Sequence, residues 1–444
     1  MEPPNELGYI AAMLELGGIE CRIRDYPMVD ASIKTFIKDL RDFDPQILIL
    51  ATTAFTFDAD LLLCKEAKQY NPEILTIVKA PYLTPDEAQS LAGRFNALDI
   101  ILLEEYEYTI KELAEHFTQK QYWRSIKGMV LKHSGDILYT GKRDFIEDLD
   151  RLPFPARHLF DNKLYARPDT GEMRATIQTA RGCSFSCIFC LASKVEGRKV
   201  RARSPENIVL EIKECIDKFG IKSFFLRADT FTLDKDWVIS LAKLIIKERL
   251  DINWVCNSRV NTLDNERLYW MKKAGCWLIS LGIESGNQGI LDKMRKGITL
   301  EDSKKAVSLC RRYGIKSYCF FVLGMPWEDK KTILETINFA RELKGDFYLF
   351  HIVVPFPGTE LYSIIEKNNL FKDGSLFGYS HFHSPVKTFY LSPKELRSLW
   401  KKANWAIYSN PGYILRTLQN IRTYRDLVNY SKYGYGKMKE LIFK

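Results

Sequence analysis

Short apolar runs alternate with helix-period segments along most of this 444-residue chain, and that alternation confines it to an α/β architecture. Early in the chain, residues 6–16, 33–40, 59–69, 85–95 and 108–117 carry helical spacing, while 19–23, 46–50, 74–79 and 98–103 read as extended. A return to a strand after each helix predicts a parallel, doubly wound sheet. Residues 128–131 and 137–139, around Ser134-Gly135-Asp136, read as a hairpin. Leu152-Pro153-Phe154-Pro155 reads as a linker. A second series starts at Ala175, with extended runs at 175–179, 223–226, 252–256, 277–282, 317–322 and 346–354. Helical segments at 205–218, 236–247, 264–274, 288–294 leading into 300–313, and 330–343 separate them. Ser204 followed by Pro205 is a helix cap with proline at the first helical position. Six β/α units predict an incomplete parallel barrel, in which reacting groups belong at the carboxyl ends of the strands. The chain therefore divides into a doubly wound domain (1–125), a hairpin and linker (126–170), a partial barrel (171–360) and a helical C-terminal region (361–444).

Directly after the first barrel strand come Cys183, Cys187 and Cys190, spaced C-x3-C-x2-C on one short loop. Three thiolates so close suit a metal centre with one position left open, since iron-sulfur clusters usually take four cysteines. Zinc is the first competitor, but a tetrahedral site needs a fourth ligand. The nearest histidine, His158, lies 25 residues upstream, and no partner C-x-x-C follows. Buried, inert thiols are the third reading. The other seven of the ten cysteines stand singly in apolar segments and read as packed small hydrophobes.

Nothing at the N-terminus has the basic and apolar pattern of a secretion signal, and no apolar run approaches bilayer length; 317–327 is about the longest. Ten cysteines without such a signal point to reduced thiols in the cytoplasm. The net charge is +9, and from Leu391 onward eleven Lys and Arg face only Glu395, Asp426 and Glu440. Interleaved there are Trp400, Trp405, Tyr408, Tyr413, Tyr424, Tyr430, Tyr433 and Tyr435. Such a tail suits an anionic substrate, a membrane face or nucleic acid, and equally a solvated helical cap over a barrel mouth.

The cysteine spacing, with Phe189 before the last cysteine, resembles the cluster loop of the radical S-adenosylmethionine (SAM) superfamily. Further motifs follow in order. They are Arg201-Ala202-Arg203-Ser204-Pro205-Glu206-Asn207, Ala228-Asp229-Thr230-Phe231-Thr232, Gly282-Ile283-Glu284-Ser285-Gly286, Met294-Arg295-Lys296-Gly297, Gly324-Met325-Pro326-Trp327-Glu328 and Pro355-Phe356-Pro357-Gly358-Thr359. Together they resemble the cobalamin-binding branch of that superfamily, which includes methyltransferases and the anaerobic cyclase of chlorophyll synthesis; the resemblance covers about residues 5–415. It implies a Rossmann-like, cobalamin-binding type of N-terminal domain and a TIM-type (β/α)6 barrel. It implies a 4Fe-4S cluster on Cys183, Cys187 and Cys190, whose open iron binds the amino and carboxylate groups of SAM. It also implies one-electron cleavage to a 5'-deoxyadenosyl radical, with flavodoxin or ferredoxin as electron donor. Glu284 is then expected to accept hydrogen bonds from the ribose or the methionine ammonium, and Asp229 to hold the amino group. Arg259 is expected to pair with a carboxylate of cofactor or substrate. Phe189, Gly324, Pro326 and Pro355 would form an apolar bed for adenine, with ordinary packing and turn geometry as the competing reading for these four.

The chain departs from the family's pattern in three places, and like many relatives of that branch it has no D-x-H-x-x-G to offer a histidine below cobalt. Ala228 stands where an acidic residue is frequent. Ala80-Pro81-Tyr82 replaces a glycine pair that would let backbone approach the corrin. The central strand that usually precedes the first helix has no counterpart, so either the start is expected to lie downstream of the true one or another segment fills the gap. The leading reading is cobalamin-dependent methylation of an unactivated carbon. The alternative enzyme reading is a radical cyclisation or rearrangement without methyl transfer, and a cobalamin- or metal-binding sensor is the reading outside enzymology. The substrate is expected to be a small molecule, hydrophobic or anionic, with membrane-peripheral contact left open and nucleic acid disfavoured.

Overall fold

The computed structural model of the chain describes residues 2–29, 31–53, 56–133, 135–167, 170–371 and 386–419, with isolated positions beyond. Two sheets organise these residues. The first runs β1 (Ile47–Ala51), β2 (Leu75–Lys79), β3 (Ile100–Leu102), β4 (Met129–His133) and β5 (Asp136–Tyr139) in that spatial order. Strands β1 to β3 are parallel, and β4 and β5 add the expected hairpin in antiparallel sense. Alternate side chains enter opposite faces. Ile77, Ile100 and Leu102 pack against Ile10 and Leu14 of helix Asn5–Leu16 and Ile110 and Leu113 of helix Glu107–Glu115. Val78, Ile101 and Val130 pack on the other face against Leu61 and Cys64 of helix Phe57–Tyr70 and Leu91 of helix Pro85–Arg94. Burial from both sides is why these strands are nearly all apolar.

Residues 19–23, expected to be extended, join no sheet. An extended segment needs a neighbouring ladder to become a strand; instead Cys21 and Ile23 lie half-buried against Ala11, Ala12 and Ala156. Strand β1 accordingly forms the sheet's edge, with side chains only half covered.

The second sheet is wholly parallel and ordered as in the sequence: β6 (Arg174–Gln178), β9 (Ser223–Arg227), β10 (Asn253–Arg259), β11 (Cys276–Glu284), β12 (Lys316–Leu323) and β13 (Phe347–Ile352). This is the six-unit open barrel expected from the β/α rhythm. Between β6 and β9 a two-residue ladder, β7 (Ala180–Arg181) with β8 (Arg201–Ala202), closes the base of the cysteine loop. Ser204 accepts from Asn207 N–H at 3.1 Å and starts helix Pro205–Phe219 as its sequence dictates. Part of the C-terminal region is built into the barrel wall. From helix Pro393–Tyr408, the buried Trp400 indole donates to the Phe350 carbonyl at 2.7 Å and the Tyr408 hydroxyl to the Tyr348 carbonyl at 2.6 Å. Most of the basic, aromatic tail beyond residue 419 lies outside the described residues.

Candidate active site

The three cysteines occupy the loop between β7 and β8, past the carboxyl end of the first barrel strand. Gly182 opens it at φ +95°, where a Cβ would overlap the Lys199 carbonyl oxygen; glycine alone fits. The loop is pinned at several points. Cys183 N–H donates to Gly197 (3.0 Å), Ile188 N–H to Met294 (3.2 Å), and the Ile188 carbonyl accepts from Leu361 N–H (3.0 Å). Cys183 and Cys187 are half-buried and Cys190 is exposed. The surrounding protein desolvates the Cys183 thiol and pushes it up, against a backbone hydrogen bond at Phe185, and crowding around Cys190 raises that thiol too even though its side chain reaches solvent, against one from Ala192. Nearby Asp229 and Cys187 add to both, and Cys183 adds to Cys190, so the trio lies within mutual electrostatic reach. Among the described residues, no three His, Cys, Asp or Glu side chains converge as ligands of a single ion. Like the Cys183 sulfur, the other two also receive donors: Ala192 N–H to Cys190 Sγ at 3.4 Å and Arg259 Nη1 to Cys187 Sγ at 3.6 Å.

Around this loop stand the strand-end residues. Asp229 stands exposed two residues past β9, where the surrounding protein and then Glu196 push its carboxyl up to about 7, against the pull of Arg227. Glu284 ends β11 at φ +67°, and its Oε1 accepts from Lys296 Nζ at 2.6 Å, both side chains being buried. Gly282 makes room for that pair: a Cβ there would stand 2.5 Å from Glu284 Oε1. Arg259, the last residue of β10, contacts several protein groups. Beyond Cys187 it donates through Nη2 to the Lys296 carbonyl and lies 3.6 Å over the Phe185 ring. Gly324 follows β12 at φ +96°, and the direction a side chain would take meets Leu396 and Val353, not the mouth. Its N–H and that of Met325 donate to Glu328 Oε2 at 2.6 and 2.9 Å. Pro326 and Pro355 are buried and Phe189 is half-buried against the barrel core.

The carboxyl ends of both sheets face one another. A cavity of about 60 Å³ between them is lined by Glu6, Lys79, Tyr106, Arg181, Glu196 and Arg227, among others. Buried ion pairs join the two sides: Arg181 with Glu107 (2.5 Å) and Arg201 with Glu105 (2.8 Å). At the loop after β2, where a glycine pair was expected, Tyr82 hydrogen-bonds Thr52 at 3.0 Å.

The family model of the radical SAM superfamily matches residues 177–340. An uncharacterized methyltransferase of Pyrococcus horikoshii is 30% identical over 417 residues, which are 94% of this chain and 90% of that protein. The chain belongs to the radical SAM superfamily. An anaerobic magnesium-protoporphyrin IX monomethyl ester cyclase of Cereibacter sphaeroides is 29% identical over 413 residues, 89% of this chain and 64% of that one. The solved structure of the radical SAM methyltransferase TsrM from Kitasatospora setae, with cobalamin and a [4Fe-4S] cluster bound, shares the fold: TM-score 0.72, 15% identity, 99% of this chain and 96% of that one. This radical SAM protein is thus an enzyme whose family cofactors are a 4Fe-4S cluster and SAM.

Several residues of this radical SAM site were not singled out from sequence. Lys296 sits in a quoted motif, where a lysine beside glycine gives no hint that it will be buried. Glu105, Glu107 and Phe185 carry no local signal, because their partners lie far along the chain. Glu328 had one: a charged residue ending an otherwise uncharged stretch.

Proposed function

We propose that this radical SAM enzyme methylates an unactivated carbon of a small substrate with cobalamin as methyl carrier. What supports this most is the apposition of two sheets by their carboxyl ends. Reacting groups of a barrel collect at that end, and ligands of a doubly wound sheet bind in the crevice there. When bound, the cluster with SAM supplies one-electron cleavage of a sulfonium, and cobalamin supplies methyl carriage. Cys183, Cys187 and Cys190 would hold the cluster. Asp229 and Glu284 offer carboxylates to the ammonium and ribose of SAM, Glu284 being fixed by Lys296. Phe189, Pro326 and Pro355 supply apolar surface that limits water. A one-electron donor such as flavodoxin or ferredoxin is required.

A second reading, cyclisation or rearrangement without methyl transfer, draws support from Ala80-Pro81-Tyr82 and from the Lys79–Glu6 ion pair in the crevice, which crowd the place of a corrin. Anaerobic reconstitution with iron and sulfide, followed by assay with SAM and candidate substrates, tests both. Deoxyadenosine with a product heavier by one CH2 is the expected result, and deoxyadenosine without it favours the second reading. Alanine at any of the three cysteines is expected to abolish deoxyadenosine; undiminished formation in all three variants defeats both. For substrate or surface contact we look to helix Pro411–Gln419, whose Ile414, Leu415 and Leu418 are exposed beside Arg416. They suit a hydrophobic or anionic partner. Among the described residues no helix is long and apolar enough to cross a membrane.

A further inference from the structure

Arg259 is buried at the end of β10, and all three of its nitrogens are engaged. Nη1 points to Cys187 Sγ at 3.6 Å, Nη2 to the Lys296 carbonyl, and Nε to Asn261 Oδ1 at 3.3 Å. Its plane lies on the Phe185 ring, two residues before Cys187. A buried cation held only by neutral oxygens and an aromatic face is left under-compensated. Among the described residues, the groups within its reach that can carry negative charge are the Cys187 sulfur, in direct contact, and through space the Cys183 sulfur.

Donor and acceptor are also held at a fixed separation by one turn. The carbonyl of Met294 takes Ile188 N–H, next to Cys187, and the carbonyl of Lys296 takes Arg259 itself. The Gly297 carbonyl accepts from Asn261 Nδ2 at 3.1 Å, and Arg295 clamps Glu360 with two bonds of 2.7 and 2.8 Å. Residues 294–297 thus tie the cysteine loop to the end of β10 and hold the two partners' segments in register.

We propose that Arg259 is a built-in donor to the Cys187 thiolate that raises the reduction potential of the cluster held there, rather than a clasp for a cofactor carboxylate. This rests on the reading that the three cysteines hold a cluster. Hydrogen bonds to ligand sulfurs and nearby positive charge favour the reduced form, which carries one more electron. A planar guanidinium suits the place because it stacks on Phe185 while it donates; an ammonium does not.

The test compares wild type, Arg259→Gln and Arg259→Lys after anaerobic reconstitution. Iron and sulfide content, EPR-monitored redox titration, and SAM binding followed by the change in EPR line shape are measured on each. Expected for Arg259→Gln is wild-type iron, SAM affinity within about twofold, and a roughly tenfold lower ratio of reduced to oxidised cluster at fixed potential, about 59 mV for one electron. Arg259→Lys should fall between. An unchanged midpoint with weakened SAM binding overturns the assignment in favour of the carboxylate clasp. An unchanged midpoint with normal SAM binding leaves only a packing role and overturns it too. Should Arg259→Gln fail to take up iron, Arg259→Lys decides by its midpoint. A wild-type protein without a cluster sinks the underlying reading instead.

Discussion

The carboxyl group of Glu328 is fully enclosed in the barrel wall, where burial lifts it to about 7 against the pull of two backbone N–H donors on Oε2. Its Oε1 has no hydrogen-bond partner, a place where a proton can sit. Because the folded-state value lies above the ordinary 4.5, the native state holds a proton that the unfolded chain gives up first. The resulting stability is full below about 4.5, falls as pH rises through 7, and then stays level. Glu328→Gln keeps an acceptor for both N–H groups and removes the titration. Its unfolding free energy should lose that decline between about pH 5 and 7.5, with a gain of a few kcal/mol at most at the upper end, since each tenfold change in proton affinity is worth ~1.4 kcal/mol. Parallel pH slopes for the two proteins in urea titrations would show that Glu328 is not the group responsible.

At the level of elements, the ladder of β7 and β8 is only two residues long on each side, too short to be stable by its own hydrogen bonds. It is braced from the other domain. Glu107 starts helix Glu107–Glu115, where the helix dipole favours an acid, and meets the buried Arg181. Glu105 meets Arg201 on the facing strand and accepts Ile146 N–H at 2.6 Å. In Glu107→Gln, Arg181 keeps only a 3.4 Å approach to Glu105. Breaking a buried pair from one side is expected to cost about 3 kcal/mol in global unfolding and to speed amide exchange at residues 180–202. Unaltered exchange there would mean that the brace is not what orders the hairpin. The β/α order, the cap at Ser204 and the cysteine loop were legible because period, cap chemistry and spacing are local properties of a sequence. The failure of residues 19–23 to become a strand was not, since strand formation depends on a neighbour that no local pattern supplies. The Arg259–Cys187 contact was not legible either, since it joins residues 72 positions apart. Gly324 was expected in an apolar bed for adenine, with turn geometry as the competing reading, and only helix Pro393–Tyr408 determines that Leu396 stands where its side chain would be.

For the whole molecule, buried ion pairs join the two halves, and the positive excess lies at the opposite end of the chain. Helix Pro411–Gln419 turns Tyr413 inward, its hydroxyl on the Asp346 carbonyl at 3.1 Å, and leaves Leu415 and Leu418 more than half exposed. Apolar ridges next to basic residues bind anionic bilayers in a salt-dependent way. The protein is expected to co-sediment with vesicles containing phosphatidylserine at low salt and to be released several-fold by about 0.5 M salt, where the Debye length falls to roughly 4 Å. Leu415→Asp with Leu418→Asp should weaken that association without unfolding the barrel. Equal recovery in the supernatant with and without vesicles removes the surface reading and leaves the ridge to substrate.

The acids that steady the cysteine hairpin belong to the other sheet, and this governs how the molecule can be taken apart. An isolated barrel, expressed alone, would retain every thiol of the loop yet leave two arginines facing water or each other where carboxylates had been. Iron loading measured on such a fragment would report the damage of the cut as much as the chemistry of the loop.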